Sequence, residues 1–336
     1  MKEAMFYSPD ADAVVCGLCP HFCRIRDGRR GICRVRKNSG GTLIAESYGQ
    51  ISSMGFDPVE KKPLYHFYPG QIILSVGSVG CNLQCKFCQN WEISQTSCED
   101  FGRLREADPG EIVDLAMQHE ENIGIAYTYN EPAIWFEFMM DIAKPAAKKG
   151  LKNVMVTNGF ITQEALEKSF EFIDAYSVDL KAFNEEFFKK LTKSRLQPVL
   201  EALKRISEAG KHLEVTNLVI PNRNDDPKEF RAMIDWIAEN LGAETVLHIS
   251  RYYPTYQLDE PATPEKELTD FYKMASRQLD YVYLGNIRTG KGQNTYCPKC
   301  KSLLIERSGY LADVSGLNDK GDCSKCGQPV IKYTEN

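Results

Sequence analysis

The sequence has no apolar run long enough to cross a bilayer. Its longest, such as Ile72–Val76, fall far short of the ~20 residues a membrane helix needs. The opening residues, MKEAMFYSPD, lack the charged-then-apolar layout of a secretory signal. There is no basic excess: 41 Lys+Arg stand against 46 Asp+Glu, so binding to nucleic acid through a cationic surface is not expected. Internal repeats and low-complexity tracts are also missing. The expectation is a cytoplasmic protein with neither a membrane nor a nucleic acid as partner. Its 336 residues, 43% of them hydrophobic, suffice for a full-sized core and one or two small appendages.

What the chain does have is cysteine. In a reducing compartment, closely spaced cysteines bind metal or do redox chemistry more often than they form structural disulfides. The 12 cysteines are grouped. Cys16, Cys19, Cys23 and Cys33 form one set, and Cys81, Cys85 and Cys88 a second. Cys297, Cys300, Cys323 and Cys326 form a third, and Cys98 stands alone.

Between the outer sets the sequence alternates short β-branched or apolar runs with amphipathic stretches. Strands are expected at Ile72–Gly77, 123–129, 153–157, 175–180, 212–220 and 245–250, with a seventh at 281–284. Helix starts are expected at Asp108-Pro109 and Pro132, and Asn184, Asp226 and Thr263 read as N-caps of three more helices. Repeated strand–helix order implies parallel strands joined by right-handed crossovers. The predicted fold is therefore α/β, a partial or complete parallel (β/α) barrel. Residues 1–66 are read as a Cys-rich metal-binding module, 67–295 as the barrel and 296–336 as a second small metal module. Segments of these lengths rarely bury enough apolar area to fold without a staple.

The stretch "SVGSVGCNLQCKFCQNW" follows the first predicted barrel strand directly. In parallel α/β folds, chemistry gathers at the C-terminal ends of strands. Structural zinc sites close with four ligands, whereas catalytic metals keep a position open. Iron–sulfur clusters normally take four cysteines, so three leave one iron for another ligand. A zinc site completed by Cys98 or a histidine is the alternative.

The spacing Cys81-x3-Cys85-x2-Cys88, with Phe87 before the last cysteine, resembles the signature of the radical S-adenosylmethionine (SAM) superfamily. That resemblance implies a [4Fe–4S] cluster whose open iron is chelated by SAM. Reductive cleavage of SAM then gives methionine and a 5′-deoxyadenosyl radical that abstracts hydrogen from a substrate. It also implies an external electron donor such as flavodoxin or ferredoxin. Other strand ends supply companions: Tyr129, Asn130 and Glu131 in "YTYNEP", Asn158 in "VTNGF", Asp179 and Lys181 in "SVDLKAF", Asn217 in "VTNLVIPN" and Tyr253 in "HISRYYP". The resemblance places these around SAM, with Glu131 and the backbone of Tyr129 and Asn130 on its amino group. Each also has an ordinary reading, as a helix-start glutamate, an Asn-Gly turn or a local ion pair.

"TNGF", "DLK" and "VIPNRND" look like the activating enzymes of pyruvate formate-lyase and other glycyl radical enzymes. "CGLCPHFCRIRDGRRGICRVR", "EKKPLYHFYPG" and "NTYCPKC" resemble, over nearly the whole chain, the AmmeMemoRadiSam-system radical SAM enzyme. That second likeness implies association with Memo-like and AMMECR1-like proteins. Three departures from the activating enzymes stand out. Val156 occupies a usually acidic position, Tyr253 falls where they carry a histidine, and there is no ferredoxin-like insertion after the triad.

The paired Cys297-x2-Cys300 and Cys323-x2-Cys326 read as a zinc ribbon or rubredoxin-like knuckle, with zinc expected. Cys16, Cys19, Cys23 and Cys33 would hold zinc or an auxiliary iron–sulfur cluster, within the basic "RIRDGRRGICRVRK". The reading of a different class is a non-enzymatic electron carrier or zinc-binding protein.

Overall fold

The computed structural model describes residues 2–287 and 290–334. Its centre is an eight-stranded sheet. We number these strands β1 (Ser53–Pro58), β2 (Ile72–Gly77), β3 (Asn122–Tyr127), β4 (Lys152–Thr157), β5 (Ala175–Asp179), β6 (His212–Val219), β7 (Val246–Arg251) and β8 (Val282–Gly285). Their order in space is their order in sequence. From β2 to β8 every pairing is parallel, while β1 runs antiparallel to β2. β1 and β8 are the two edges, so the barrel is partial. Each parallel strand was anticipated to within two residues at either end. β1 was not: it lies within residues 1–66, so the main sheet begins before the boundary drawn at residue 67.

The principal crossover helices are α1 (Pro109–Met117), α2 (Phe136–Lys148), α3 (Gln163–Ser169), α4 (Leu196–Glu208), α5 (Pro227–Asn240) and α6 (Glu265–Ala275). Asp108 caps α1 by accepting from the Gly110 N–H at 2.8 Å, and Glu111 reaches back to the Asp108 N–H. Asp226 caps α5 by accepting from the Lys228 N–H at 2.6 Å. Thr263 does not cap α6; Pro264 precedes the helix without a side-chain cap. The Thr263 hydroxyl instead accepts from the Tyr252 N–H and donates to the Val219 carbonyl, tying the ends of β6 and β7 together. Asn184 caps one short turn, Glu185–Phe187, and the long helix starts only at Leu196. The apolar faces of these helices join the outer face of the sheet in one core, where Trp135, Tyr127, Tyr176 and Phe160 are buried.

The inside of the barrel is polar, and a buried carboxylate at its floor is fully bonded. Strand residues two apart share a face, so Glu214 lies beneath Thr216 and Leu218. Its carboxylate is buried and accepts four hydrogen bonds: from the N–H groups of Tyr65 (2.9 Å) and His66 (2.7 Å), and from Nε2 of His212 (2.9 Å) and His248 (2.7 Å). Burial opposes the charge of Glu214, but the two histidines outweigh it and hold the carboxyl well below its usual range.

His66 sits beside this group with its Nε2 2.6 Å from the Tyr283 hydroxyl. Burial pushes its pKa down to about 3, although the Glu214 charge pulls the other way; Arg307, His212 and His248 add to the fall. The unfolded chain therefore takes up a proton near pH 6.5 that the folded chain refuses until about pH 3. The His66 contribution to stability should be intact above pH 6.5 and fall at about 1.4 kcal/mol per pH unit below it. Half-buried His21, also shifted down, adds to the same slope, whereas buried Glu131, raised to about 7, works in the opposite direction over the same range. Urea unfolding at pH 7 and pH 5 should therefore show wild type losing about 2 kcal/mol more than His66→Gln between the two, and an equal pH dependence of the two proteins would contradict it.

Candidate functional site

A cavity of about 680 Å³ opens at the C-terminal ends of the parallel strands. Its walls are built strand by strand. After β2 come Cys81, Cys85, Phe87 and Cys88, and after β3 Thr128, Tyr129, Asn130 and Glu131. β4 supplies Val156, Thr157 and Asn158, and β5 Asp179 and Lys181. β6 gives Thr216 and Leu218, β7 His248 and Ser250, and β8 Gly285 and Asn286.

The cysteine loop is shaped by its neighbours. Ser78 N–H donates to Asn130 Oδ1 at 3.0 Å, and Asn130 Nδ2 donates to the Gly80 carbonyl at 2.9 Å. Gly80 has φ +85°, and a Cβ there would stand 2.5 Å from the Cys33 carbonyl oxygen. Only glycine meets both demands. Two N–H groups face the Cys81 sulfur, Leu83 N at 3.3 Å and Asn158 Nδ2 at 3.7 Å. Such donors suit an anionic sulfur. Burial nevertheless pushes the Cys81 thiol far up and the Cys85 thiol to about 12, despite Lys181 beside Cys85. These sulfurs become thiolates when a metal takes the place of the proton, so the loop's chemistry fits a metal cluster. Cys98 lies outside the cavity lining, and His248 is committed to Glu214, so neither completes the triad.

Glu131 is 2% exposed, and both its oxygens are occupied. Oε1 accepts from the Ala133 N–H (3.0 Å) and the Thr157 hydroxyl (2.7 Å), and Oε2 from the Asn158 N–H (2.8 Å). Burial raises its pKa to about 7, with those donors working against the rise. Glu131 thus ties the end of β3 to the end of β4. Tyr129 holds φ +69°, the left-handed region that a bulky residue enters only under constraint. The constraints are visible: its carbonyl accepts from Asn90 Nδ2 at 2.7 Å and its hydroxyl donates to Asp57 Oδ2 at 2.8 Å.

Asp179 and Lys181 face the cavity together, Nζ to Oδ2 2.8 Å. Burial works against the Lys181 charge, but Asp179 and Cys85 outweigh it and hold its pKa above the usual lysine range. The Asp179 side chain is 41% exposed, so this carboxylate keeps capacity for a ligand.

Two candidates stand outside the cavity. Asn217 falls between the lining residues Thr216 and Leu218, so it points to the opposite face of β6. Its Nδ2 donates to the Leu180 carbonyl at 2.8 Å, a bond between strand ends. Tyr253 is 41% exposed and lies under the Arg251 guanidinium, 5.0 Å from the ring centre. Conversely, several lining residues were not foreseen. Lys62 is buried and bonds Asp57 Oδ2 at 2.6 Å, in company with Lys61 and Tyr129. Tyr310 reaches the wall from the C-terminal cysteine module. The adjacent Lys61 and Lys62 after Asp57 carried a signal; Tyr310, far along the chain, carried none.

Cys297, Cys300, Cys323 and Cys326 bring their four sulfurs within 4.8 Å of one another, with Cys297–Cys326 and Cys300–Cys323 each at 3.6 Å. Among the described residues this is the one His, Cys, Asp or Glu group so gathered. No helix among them is long and apolar enough to cross a membrane.

The family described as the radical SAM superfamily matches residues 75–237, the span from the cysteine loop to α5. An uncharacterized protein of Methanocaldococcus jannaschii is 43% identical over 334 residues, covering 98% of this chain and 99% of its own. The pyruvate formate-lyase-activating enzyme of Listeria monocytogenes is 23% identical over 172 residues, 47% of this chain and 66% of that one. Among solved structures, a radical SAM methyltransferase from Sphaerobacter thermophilus shares the fold with a TM-score of 0.51 at 16% identity, covering 68% of this chain and 71% of that one. With its three cysteines on the loop after the first parallel strand of a partial barrel, this chain belongs to the radical SAM superfamily.

Proposed function

We propose that the chain is an enzyme that cleaves SAM reductively and takes hydrogen from a substrate, and that it is of the AmmeMemoRadiSam-system type. The observation that carries this reading is the convergence of Cys81, Cys85 and Cys88 with Asp179 and Lys181 on one cavity. Cys81, Cys85 and Cys88 would hold a [4Fe–4S] cluster, which when bound supplies an electron to a carbon–sulfur bond of SAM.

The chain's own residues do the rest. The backbone of Tyr129 and Asn130 and the free capacity of Asp179 receive the cationic and hydroxyl groups of SAM, and Lys181 faces its carboxylate. Glu131 and Asn158 act as positioning residues, since their hydrogen bonds are already made within the chain. Phe87 packs on Phe187, with ring centres 5.6 Å apart, and keeps water from one wall. A small one-electron carrier such as flavodoxin or ferredoxin is the donor. Memo-like and AMMECR1-like proteins, or a glycyl radical enzyme, are the partners to examine.

In the C-terminal module, sulfurs 3.6 Å apart suit one tetrahedral zinc, whose ~2.3 Å bonds place thiolates ~3.8 Å from each other. We place that module at residues 296–336, a barrel at 67–295 joined by the edge strand β1, and a first module before it.

Anaerobic reconstitution with iron and sulfide tests the reading. Addition of SAM and a strong reductant should yield methionine and 5′-deoxyadenosine. Protein carrying a proven cluster that yields neither is an electron carrier, and the enzyme reading fails.

A further inference from the structure

Cys16, Cys19, Cys23 and Cys33 are not used by the catalytic loop, yet they are arranged as a site. All four line one small cavity, together with Leu18, Ile25, Ile32 and Ile134. Three of the four are buried, and Cys23 is half-buried. The Cys16–Cys23 segment is a loop between two antiparallel strands, Ala13–Cys16 and Arg24–Arg26, closed by the Cys16 N–H on the Cys23 carbonyl at 3.0 Å. Arg36 approaches the same cavity; it is 1% exposed, and its Nη1 lies 3.7 Å from the Cys16 sulfur. A buried guanidinium N–H aimed at sulfur suits a metal-bound thiolate, as outer donors to ligands commonly do.

The spacing of the sulfurs separates the candidate metals. One tetrahedral zinc draws four thiolates to ~3.8 Å from each other, and the C-terminal cysteines, with two pairs at 3.6 Å and all four within 4.8 Å, approach that arrangement. The N-terminal four do not form a group within 4.8 Å, and neither do Cys81, Cys85 and Cys88. Thiolates on a [4Fe–4S] cluster sit on four separate irons and stand further apart than thiolates on one ion. The apolar lining also matches a site whose potential is set by burial.

This module abuts the catalytic loop. The Cys33 carbonyl packs on Gly80, and His21 Nε2 lies 2.8 Å from the Asn82 carbonyl, next in sequence to Cys81. Leu18 accepts from the Thr162 N–H at 3.1 Å on the loop after β4. The two cysteine sets thus share a wall.

We propose that Cys16, Cys19, Cys23 and Cys33 bind a second [4Fe–4S] cluster, against the loop that carries Cys81, Cys85 and Cys88. The inference is independent of SAM cleavage, and so is its test. The full chain carrying Cys81→Ala, Cys85→Ala and Cys88→Ala is reconstituted anaerobically with iron, sulfide and zinc. It should retain about four iron and four sulfide per chain, with a cubane signature by Mössbauer spectroscopy and, once reduced, an electron paramagnetic resonance signal that SAM does not alter. Wild-type protein should hold about twice that iron, and adding Cys19→Ser and Cys33→Ser to wild type should remove half. Two zinc ions and no iron in the triad variant would overturn the proposal, as would iron without sulfide. Because the triad variant lacks the catalytic ligands, its outcome does not depend on whether the triad binds a cluster.

Discussion

Cys85→Ala protein should form no 5′-deoxyadenosine above background, a fall of at least about a thousandfold, equivalent to about 4 kcal/mol in the barrier. Three cysteines are already one fewer than a cluster normally takes, and a third protein ligand cannot be spared. Cys85 is 7% exposed and beside Lys181, so no solvent thiol or neighbouring residue can stand in. Cys98→Ala is the matched control. It removes a half-buried thiol outside the cavity lining and should leave cleavage unchanged. The comparison is made by chromatography of SAM products under one reductant, with iron counted in each protein. Wild-type turnover by Cys85→Ala would refute the ligand assignment.

Arg307→Met should destabilise the fold by about 3–5 kcal/mol, because it strips the partner from a buried charge. Arg307 projects from the C-terminal module into the barrel floor. Its guanidinium donates to the Tyr65 carbonyl (2.8 Å), the Thr295 hydroxyl (2.9 Å) and the Gln293 carbonyl (3.1 Å). It also lies 4.1 Å from the Tyr65 ring centre, a cation–π contact strengthened by the burial of both groups. Glu60 is 3.8 Å away and equally buried, and among the described residues its carboxylate otherwise accepts from the Gly70 N–H at 2.8 Å, with Oε2 left without a hydrogen bond. Burial already raises the Glu60 pKa, with Arg307 opposing that rise. The variant should lower the urea midpoint, and Glu60→Gln added to it should restore part of the loss by removing the orphaned charge. A loss below about 1 kcal/mol, the range of an exposed pair, would show that Arg307 is not holding the floor.

The parallel strands were readable because each is a β-branched or apolar run buried on both faces, as in "VMVT" of β4. β1, "SMGFDP", was missed because it is an edge strand with Gly and Pro and no clean alternation. Helix α3 starts with neither a Pro nor a side-chain cap, and α4 follows Arg195, which caps nothing, with its Pro198 only at the third position. At the site, the cysteine loop was legible because its ligands are local in sequence. Face assignment was harder. Asn217 and Thr216 are adjacent, and the strand's parity alone decides which one sees the cavity. Asp179 and Lys181, two apart, were placed together correctly by the same rule. Tyr310 reaches the wall only through tertiary packing, which no short window of sequence contains.

The sequential strand order has a kinetic consequence. Each strand from β2 to β8 pairs with one made just before it, so the sheet can grow by adding strands as the chain is synthesised. No strand waits for a distant partner. Arg307, which plugs the floor, and Tyr333, whose carbonyl accepts from the Tyr68 N–H at 2.9 Å, follow all eight strands in the chain. Cys16, Cys19, Cys23 and Cys33 and the triad Cys81, Cys85 and Cys88 are therefore synthesised well before the residues that seal the barrel floor.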